Sequence, residues 1–297
     1  MEQMNEMSLS DILKKYEIKI SPKKIELLEK YCSLLWEKNA HLNLTRHTDY
    51  EKFVSRDLID TLHLADLLQK GEHILDVGTG GGIPGIPLAI LRPDLNVELC
   101  DSTGKKAEAV GNMLLELGLE TNIWYAKAEE LLKVHRFHTL VVRGVSKMPK
   151  LLQMFSTSWF AFDRLLMIKG QHWVDERGES RHLGLLRTIA LRKLDEYMNP
   201  GADFPSVILQ CCQKSRFEEI KRRDEMRLEG KPIEIPVENI GVDNKPREKK
   251  KPIKFRSSEK KPVEKKRFSD PEKKGKGWVH KEGSLKRPGK KPSRGGK

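Results

Sequence analysis

Asp76, Gly78, Gly80 and Gly82 spell D-x-G-x-G-x-G inside the stretch HILDVGTGGGIPGIPLAI, residues 73–90. Glycine inside a regular element costs about 0.5–1 kcal/mol relative to alanine, so something there requires bare backbone. An acid that closes a strand, followed by glycines that open a helix, lets a ligand approach the main chain and the free N–H groups of that helix. Gly80, Gly82 and Gly85 also match G-x-G-x-x-G, but that dinucleotide frame starts late for a strand ending at Val77. A second acid, Asp101, directly follows the apolar run NVELC, where a carboxylate can accept hydrogen bonds from ribose hydroxyls. After the apolar run HTLVV stands Arg143, whose planar fork suits a carboxylate, a phosphate or the O6 face of guanine. No Ser-His-Asp set and no carboxylate pair for acid–base work stands out in the sequence. The four cysteines, Cys32, Cys100, Cys211 and Cys212, have no C-x-x-C or zinc-ligand spacing and read as buried reduced thiols, so no metal is expected.

The elements that must position these residues follow from the apolar pattern. Ser8 to Tyr16, Ser21 to Leu44 and Asp49 to Leu68 have helical spacing, with Ser21-Pro22 as a cap and first-turn pair. From residue 73 the texture changes. The runs HILDV (73–77), NVELC (96–100), NIWYA (122–126), HTLVV (138–142) and RLLMI (164–168) alternate with helical segments such as Lys105 to Leu117 and Pro149 to Phe160. That alternation predicts βαβ units and a parallel sheet. A polar helix near His172 to Leu186 precedes two further runs, residues 188–198 and 206–214, expected as an antiparallel hairpin at the sheet edge. The expected organisation is a helical cap over residues 1–70, an α/β domain over 71–214 and a charged tail over 215–297, with Arg216 to Glu229 capable of forming a helix.

The acid–glycine frame is the pattern of class I methyltransferases, which bind S-adenosylmethionine on a Rossmann-like, mostly parallel sheet. A sharper resemblance follows from motifs in order: LLWEKNAHLNLT (34–45), DVGTGGGIPGIPLAILRP, DSTGKK (101–106), AEEL (128–131), VVRGVS (141–146) and Lys169-Gly170. Over about Tyr16 to Lys214 the chain resembles the bacterial small-subunit ribosomal RNA guanine-N7 methyltransferases, the glucose-inhibited division protein B family. The resemblance implies cofactor contacts at Gly78, Ile83, Ala128, Glu129 and Arg143, beside Asp76, Gly80, Gly82 and Asp101 from the frame itself. It implies methyl transfer from S-adenosylmethionine to N7 of a guanine in 16S ribosomal RNA, free or in the small ribosomal subunit. Arg56, Lys105, Lys106, Arg143 and Lys169, with His172, are the expected RNA-facing residues. The chain departs from the family pattern at Arg56-Asp57, where Arg-His is usual, and at Asp60-Thr61, where Asp-Ser is usual. It also departs at Ala107-Glu108-Ala109 and at Val142-Arg143-Gly144, in place of Ser-Arg-Ala. Two alternatives stay open: a methyltransferase of another RNA position, and an RNA-binding protein that keeps the fold without turnover.

Guanine N7 carries an in-plane lone pair and no proton, so its methylation asks for positioning and not for a general base. Charge is distributed unevenly along the chain. From Gly241 to Lys297 there are 22 Lys and Arg against 7 Asp and Glu, a net of +15. The whole chain carries +13, so the residues before Gly241 carry −2. This tail has almost no aliphatic content and reads as disordered. Its cations attract polyanions, and the interleaved Phe255, Phe268 and Trp278 can stack on bases. No run approaches the ~18 apolar residues of a membrane span, and the acidic, polar start does not read as a signal peptide. The expectation is a monomer in the cytoplasm.

Overall fold

The computed structural model describes residues 7–228. The chain divides into a unit Met1–Gly241 and a second unit Val242–Lys297. The second unit, with the expected disordered basic tail, lies outside the described residues.

The N-terminal layer is helical. In α1 (Leu9–Lys15) the Ser8 hydroxyl accepts from the Asp11 N–H, which satisfies one free donor of the first turn. In α2 (Pro22–Leu42) Leu28, Tyr31, Cys32, Leu34 and Leu35 fall on one buried stripe. The helix stops at Asn43, which is left-handed at φ +49. Asn39 Oδ1 then accepts from the N–H groups of Leu44 and Thr45 at 2.6 and 2.9 Å and folds the chain back. The expected single helix over 49–68 is interrupted. It comprises α3 (Tyr50–Lys52), a π-helical turn Phe53–Leu58 and α4 (Ile59–Asp66). Asp49 caps α3 through the Lys52 N–H.

The α/β layer follows as β1 (His73–Val77), α5 (Gly85–Leu91), β2 (Asn96–Asp101), α6 (Gly104–Leu117), β3 (Asn122–Tyr125) and α7 (Ala128–Leu131). It continues with β4 (Phe137–Arg143), α8 (Met148–Met154), β5 (Phe162–Lys169), α9 (Trp173–His182), β6 (Ile189–Tyr197), β7 (Ser206–Gln213) and α10 (Phe217–Leu228). The seven strands run in the order β3-β2-β1-β4-β5-β7-β6. Strands β1 to β5 are parallel, and β7 lies antiparallel between β5 and β6. The sequence thus reads the hairpin correctly, with β6 at the edge.

Alternate side chains of each central strand serve different cores, the two-residue period of a pleated strand. Ile74, Val141 and Leu166 join the core under the N-terminal helices, α5 and α6. Leu75, Leu140, Val142, Leu165 and Met167 join the core with α7 and α8. Both faces are covered, which is why these strands read as nearly continuous apolar runs. All four cysteines are free and buried. Burial pushes the Cys100 thiol up to about 12.

The α10 segment is packed. Its Ile220 and Asp224 are buried, and Asp224 Oδ1 accepts from Arg164 Nη1 at 2.8 Å. The same guanidinium meets Glu72 at 3.0 Å. Burial works against the Arg164 cation, but Glu72 and Asp224 outweigh it and raise its pKa. The tail drawn from residue 215 therefore begins with a docked helix, whose buried Asp224 meets Arg164 of β5.

Candidate functional site

Strand order reverses between β1 and β4, the switch point at whose carboxyl edge open α/β sheets take their ligands. Every D-x-G-x-G-x-G residue lies there. Asp76 is 1% exposed; its Oδ2 accepts from the Thr79 hydroxyl at 2.5 Å and the Gly85 N–H at 2.9 Å. Its Oδ1 is buried without a hydrogen-bond partner. Burial pushes the Asp76 carboxyl up to about 6, against the pull of those two bonds. Gly78 and Thr79 N–H both donate to the Cys100 carbonyl, which ties the loop to β2.

The glycines answer the need for bare backbone in two ways. Gly78, Gly80 and Gly82 all have positive φ, at +66, +59 and +94. A Cβ on Gly82 would lie 2.6 Å from Ile86, one on Gly85 2.7 Å from Asp76 Oδ2, and one on Gly78 2.9 Å from Val145. At these three the protein's own side chains take the space. A Cβ on Gly80 would meet nothing nearer than 4.0 Å. Gly80 is the glycine whose surface is left open to a ligand.

Asp101 is joined to that glycine. Its Oδ2 accepts from the Gly80 N–H at 3.0 Å and its Oδ1 from the Thr103 N–H at 2.7 Å. The acid ending β2 thus shapes the loop after β1 and keeps lone pairs for a hydroxyl donor. Ala128 is buried and Glu129 half-buried at the start of α7, which follows β3, the neighbour of β2. Ile83 is half-buried against the core beneath the helical layer. The orphaned Asp76 oxygen, the open Gly80 and the Asp101 carboxylate fit a cationic nucleoside such as S-adenosylmethionine.

Arg143 ends β4 on a polar network that the sequence did not reveal. Its Nη2 donates to Asp57 Oδ1 at 2.6 Å and to the Arg56 carbonyl at 3.2 Å, while its Nε lies 2.9 Å from Asp60 Oδ2. Asp57 also meets His47 Nδ1 at 2.9 Å. Asp60 Oδ1 accepts from the Tyr197 hydroxyl at 2.9 Å and from Asn199 Nδ2 at 3.0 Å. Burial works against the Arg143 cation, but Asp57 and Asp60 more than offset it and raise its pKa. Burial, with Asp60 next, holds the Tyr197 phenol far above its usual range. Arg143 is therefore braced at the end of β4, by Asp57, which departs from the family pattern, and by Asp60, which keeps it. The three-residue spacing of these acids on one helical stretch was the available signal. His47, Tyr197 and Asn199 carried none, because their partners are remote in sequence.

The expected RNA-facing residues separate. Lys105 is exposed and Lys106 half-buried at the start of α6, next to Asp101. His172 is exposed before α9. Arg56 donates from Nη2 to the Gly201 carbonyl at 3.2 Å. Lys169 does not stand as a rim cation: its side chain is 11% exposed, bonds the Ser146 carbonyl and pairs with Glu176 at 2.8 Å. It ties the end of β5 to α9, because a half-charged helix beside it supplies an acid. Among the described residues no group of three or more His, Cys, Asp or Glu is arranged to hold a metal ion.

The family model described as rRNA small subunit methyltransferase G matches residues 24–195. A Rhodopirellula baltica protein named ribosomal RNA small subunit methyltransferase G is 48% identical over 170 residues, covering 57% of this chain and 74% of that one. Proteins of the same name from Pseudomonas fluorescens and Chromobacterium violaceum are 38% and 37% identical. Those two alignments cover 51% and 46% of this chain, and 71% and 66% of the relatives.

Proposed function

The chain belongs to the rRNA small subunit methyltransferase G family, and we propose on that premise that it methylates N7 of a guanine in 16S ribosomal RNA. It is an S-adenosylmethionine-dependent methyltransferase. The observation that carries the reading is the bond between Asp101 and Gly80, which joins a ribose-type carboxylate to an open glycine in one cradle.

Bound S-adenosylmethionine supplies the electrophilic methyl group. The chain's residues bind and orient. Asp76 offers a buried oxygen to a cation, and Gly78, Gly80 and Gly82 keep the loop in the left-handed turns that expose its backbone. Asp101 accepts from ribose hydroxyls. Ala128, Glu129 and Ile83 line the adenosine side. Arg143, fixed by Asp57 and Asp60, presents a wall against which the guanine is held, and the N7 lone pair needs only alignment and exclusion of water. Arg56, Lys105, Lys106 and the tail from Gly241 attract the RNA backbone. The domain reading is a helical cap, a catalytic α/β body and a basic tail on a monomer that acts in the cytoplasm. No helix among the described residues is long and apolar enough to cross a membrane.

The test is methyl transfer from labelled S-adenosylmethionine to 16S ribosomal RNA and to small subunits from cells lacking the gene. Label is expected in a single N7-methylguanine, located by mass mapping. Label at a ring carbon, ribose or amino group would redirect the chemistry. Cofactor binding without transfer to either substrate would make the protein a binding module.

A further inference from the structure

The β6–β7 hairpin ends at the carboxyl edge, and side chains of the site hold its tip. Residues 199–202 form a tight turn in which the Ala202 N–H donates to the Asn199 carbonyl at 3.0 Å. Pro200 stands second and Gly201 third, with φ +66 at Gly201, the pattern of a type II turn. Asn199 Nδ2 is fixed on Asp60, and Arg56 Nη2 on the Gly201 carbonyl. The Arg56 carbonyl in turn accepts from Arg143 Nη2. The tip is thus one residue removed from Arg143.

Next to this turn, Phe204 is 55% exposed and Met198 56% exposed. Single exposed apolar side chains are ordinary and carry no message alone. The placement of Phe204 does. Phe160 is the other largely exposed phenylalanine among the described residues. It lies just before β5, at the amino edge, with the Arg136 guanidinium 5.1 Å over its ring. Phe204 stands at the opposite, carboxyl edge, three residues after Gly201, which Arg56 holds.

We propose that Phe204 is a base-stacking residue that takes a nucleobase of the substrate RNA at or beside the target guanine. This rests on the methyltransferase reading above. An enzyme that alkylates a base in folded RNA must draw it from its stack, and an aromatic face replaces part of the lost stacking. The Pro-Gly turn and its two anchors hold the ring's backbone in place before RNA arrives. Arg56 brings a cation to the same tip, which suits a polyanion better than an apolar protein surface.

Full-length wild type, Phe204→Ala, Phe204→Leu and Phe204→Trp are compared in methyl transfer to deproteinised 16S ribosomal RNA, with cofactor affinity from calorimetry. The expected result is a kcat/KM for RNA about tenfold lower in the Ala and Leu variants. Cofactor affinity stays unchanged, and the Trp variant stays within about twofold of wild type. Leucine keeps apolar bulk without a π face, so a Leu variant as good as wild type would overturn stacking. An Ala variant as good as wild type would overturn any base contact at this position. Failure of the wild type itself to methylate RNA would overturn the underlying reading and this proposal with it.

Discussion

Arg143 Nη2 lies 2.6 Å from Asp57 Oδ1, and this pair fastens the end of β4 to the π-helical turn of the N-terminal layer. The Asp57 side chain is only 2% exposed and also meets His47. One carboxylate therefore holds Arg143 across the boundary between sheet and cap and His47 within the cap. π-Helical turns often mark functional positions, and here the turn carries both Arg56 and Asp57.

Asp57→Ala leaves the Arg143 cation with Asp60 as its one remaining acidic partner and strands His47. Removing one partner of a buried pair costs about 3–5 kcal/mol. Urea unfolding of Asp57→Ala is expected to show a loss near the lower end of that range, because Asp60 still faces Arg143. Asp57→Asn keeps an acceptor and loses less. A loss under about 1 kcal/mol for the Ala variant would mean that the network is an ornament of a rigid body and not its brace.

Gly80 and Gly82 make a sharper pair of tests than Gly78. A Cβ at Gly82 would drive into Ile86, and one at Gly78 into Val145, so either change mixes folding with binding. A Cβ at Gly80 would meet only the carbonyl oxygens of Gly78 and Leu44 at 4.0 Å, without a clash, and its φ of +59 costs an alanine about 1–2 kcal/mol. We expect Gly80→Ala to stay folded by circular dichroism and to lose at least tenfold in S-adenosylmethionine affinity. Gly82→Ala should unfold at clearly lower urea. The reverse order of effects would show that the loop's open face is elsewhere.

The strands, their parallel order and the edge hairpin were legible because burial on both faces leaves apolar runs; Asp101 ends β2, and Asp76 stands one residue before the end of β1. The brace on Arg143 was not legible. His47 and Tyr197 sit ten and 137 residues from their acidic partners, and no periodicity links such positions. The π turn was hidden for a related reason: Phe53, Leu58 and Leu62 satisfy an α-helical stripe in sequence, while packing selects the wider turn. The ion pair of Lys169 with Glu176 was hidden as well, because its partner stands on the next helix. The roles assigned to the individual site residues remain proposals that these variants test.

The basic tail gives a prediction of another kind. A chain ending at Gly241 keeps the whole compact unit Met1–Gly241 and loses a net charge of about +15. It should bind S-adenosylmethionine normally and 16S ribosomal RNA more weakly. The slope of log affinity against log salt should become shallower by about 0.7–0.9 for each lost phosphate contact. The rate at saturating RNA should hardly change, since attraction is lost and not transition-state contact. An unchanged salt slope would show that the tail does not touch RNA.

Asp76 predicts a pH dependence of definite sign. Its folded pKa of about 6 stands above the ordinary aspartate value of about 3.9, with burial as the main cause, Thr79, Gly85 and Arg143 opposing it and Asp101 adding to it. The folded state thus binds the proton more tightly than the unfolded state. The group weighs nothing against folding below about pH 4 and costs progressively more as pH rises to about 6, where the cost levels off. The full cost is on the order of 3 kcal/mol. Asp76→Asn cannot ionise, so the stability of wild type minus that of the variant should fall between pH 4 and 6 and stay flat above. Urea unfolding of both proteins at several pH values measures this difference. A bound cation near the orphaned Asp76 oxygen favours the carboxylate, so S-adenosylmethionine affinity of the wild type should rise from pH 5 to 7. Asp76→Asn should lose that rise. A difference curve that is flat from pH 4 to 8, or a variant whose cofactor affinity still climbs with pH, would place the titrating group elsewhere.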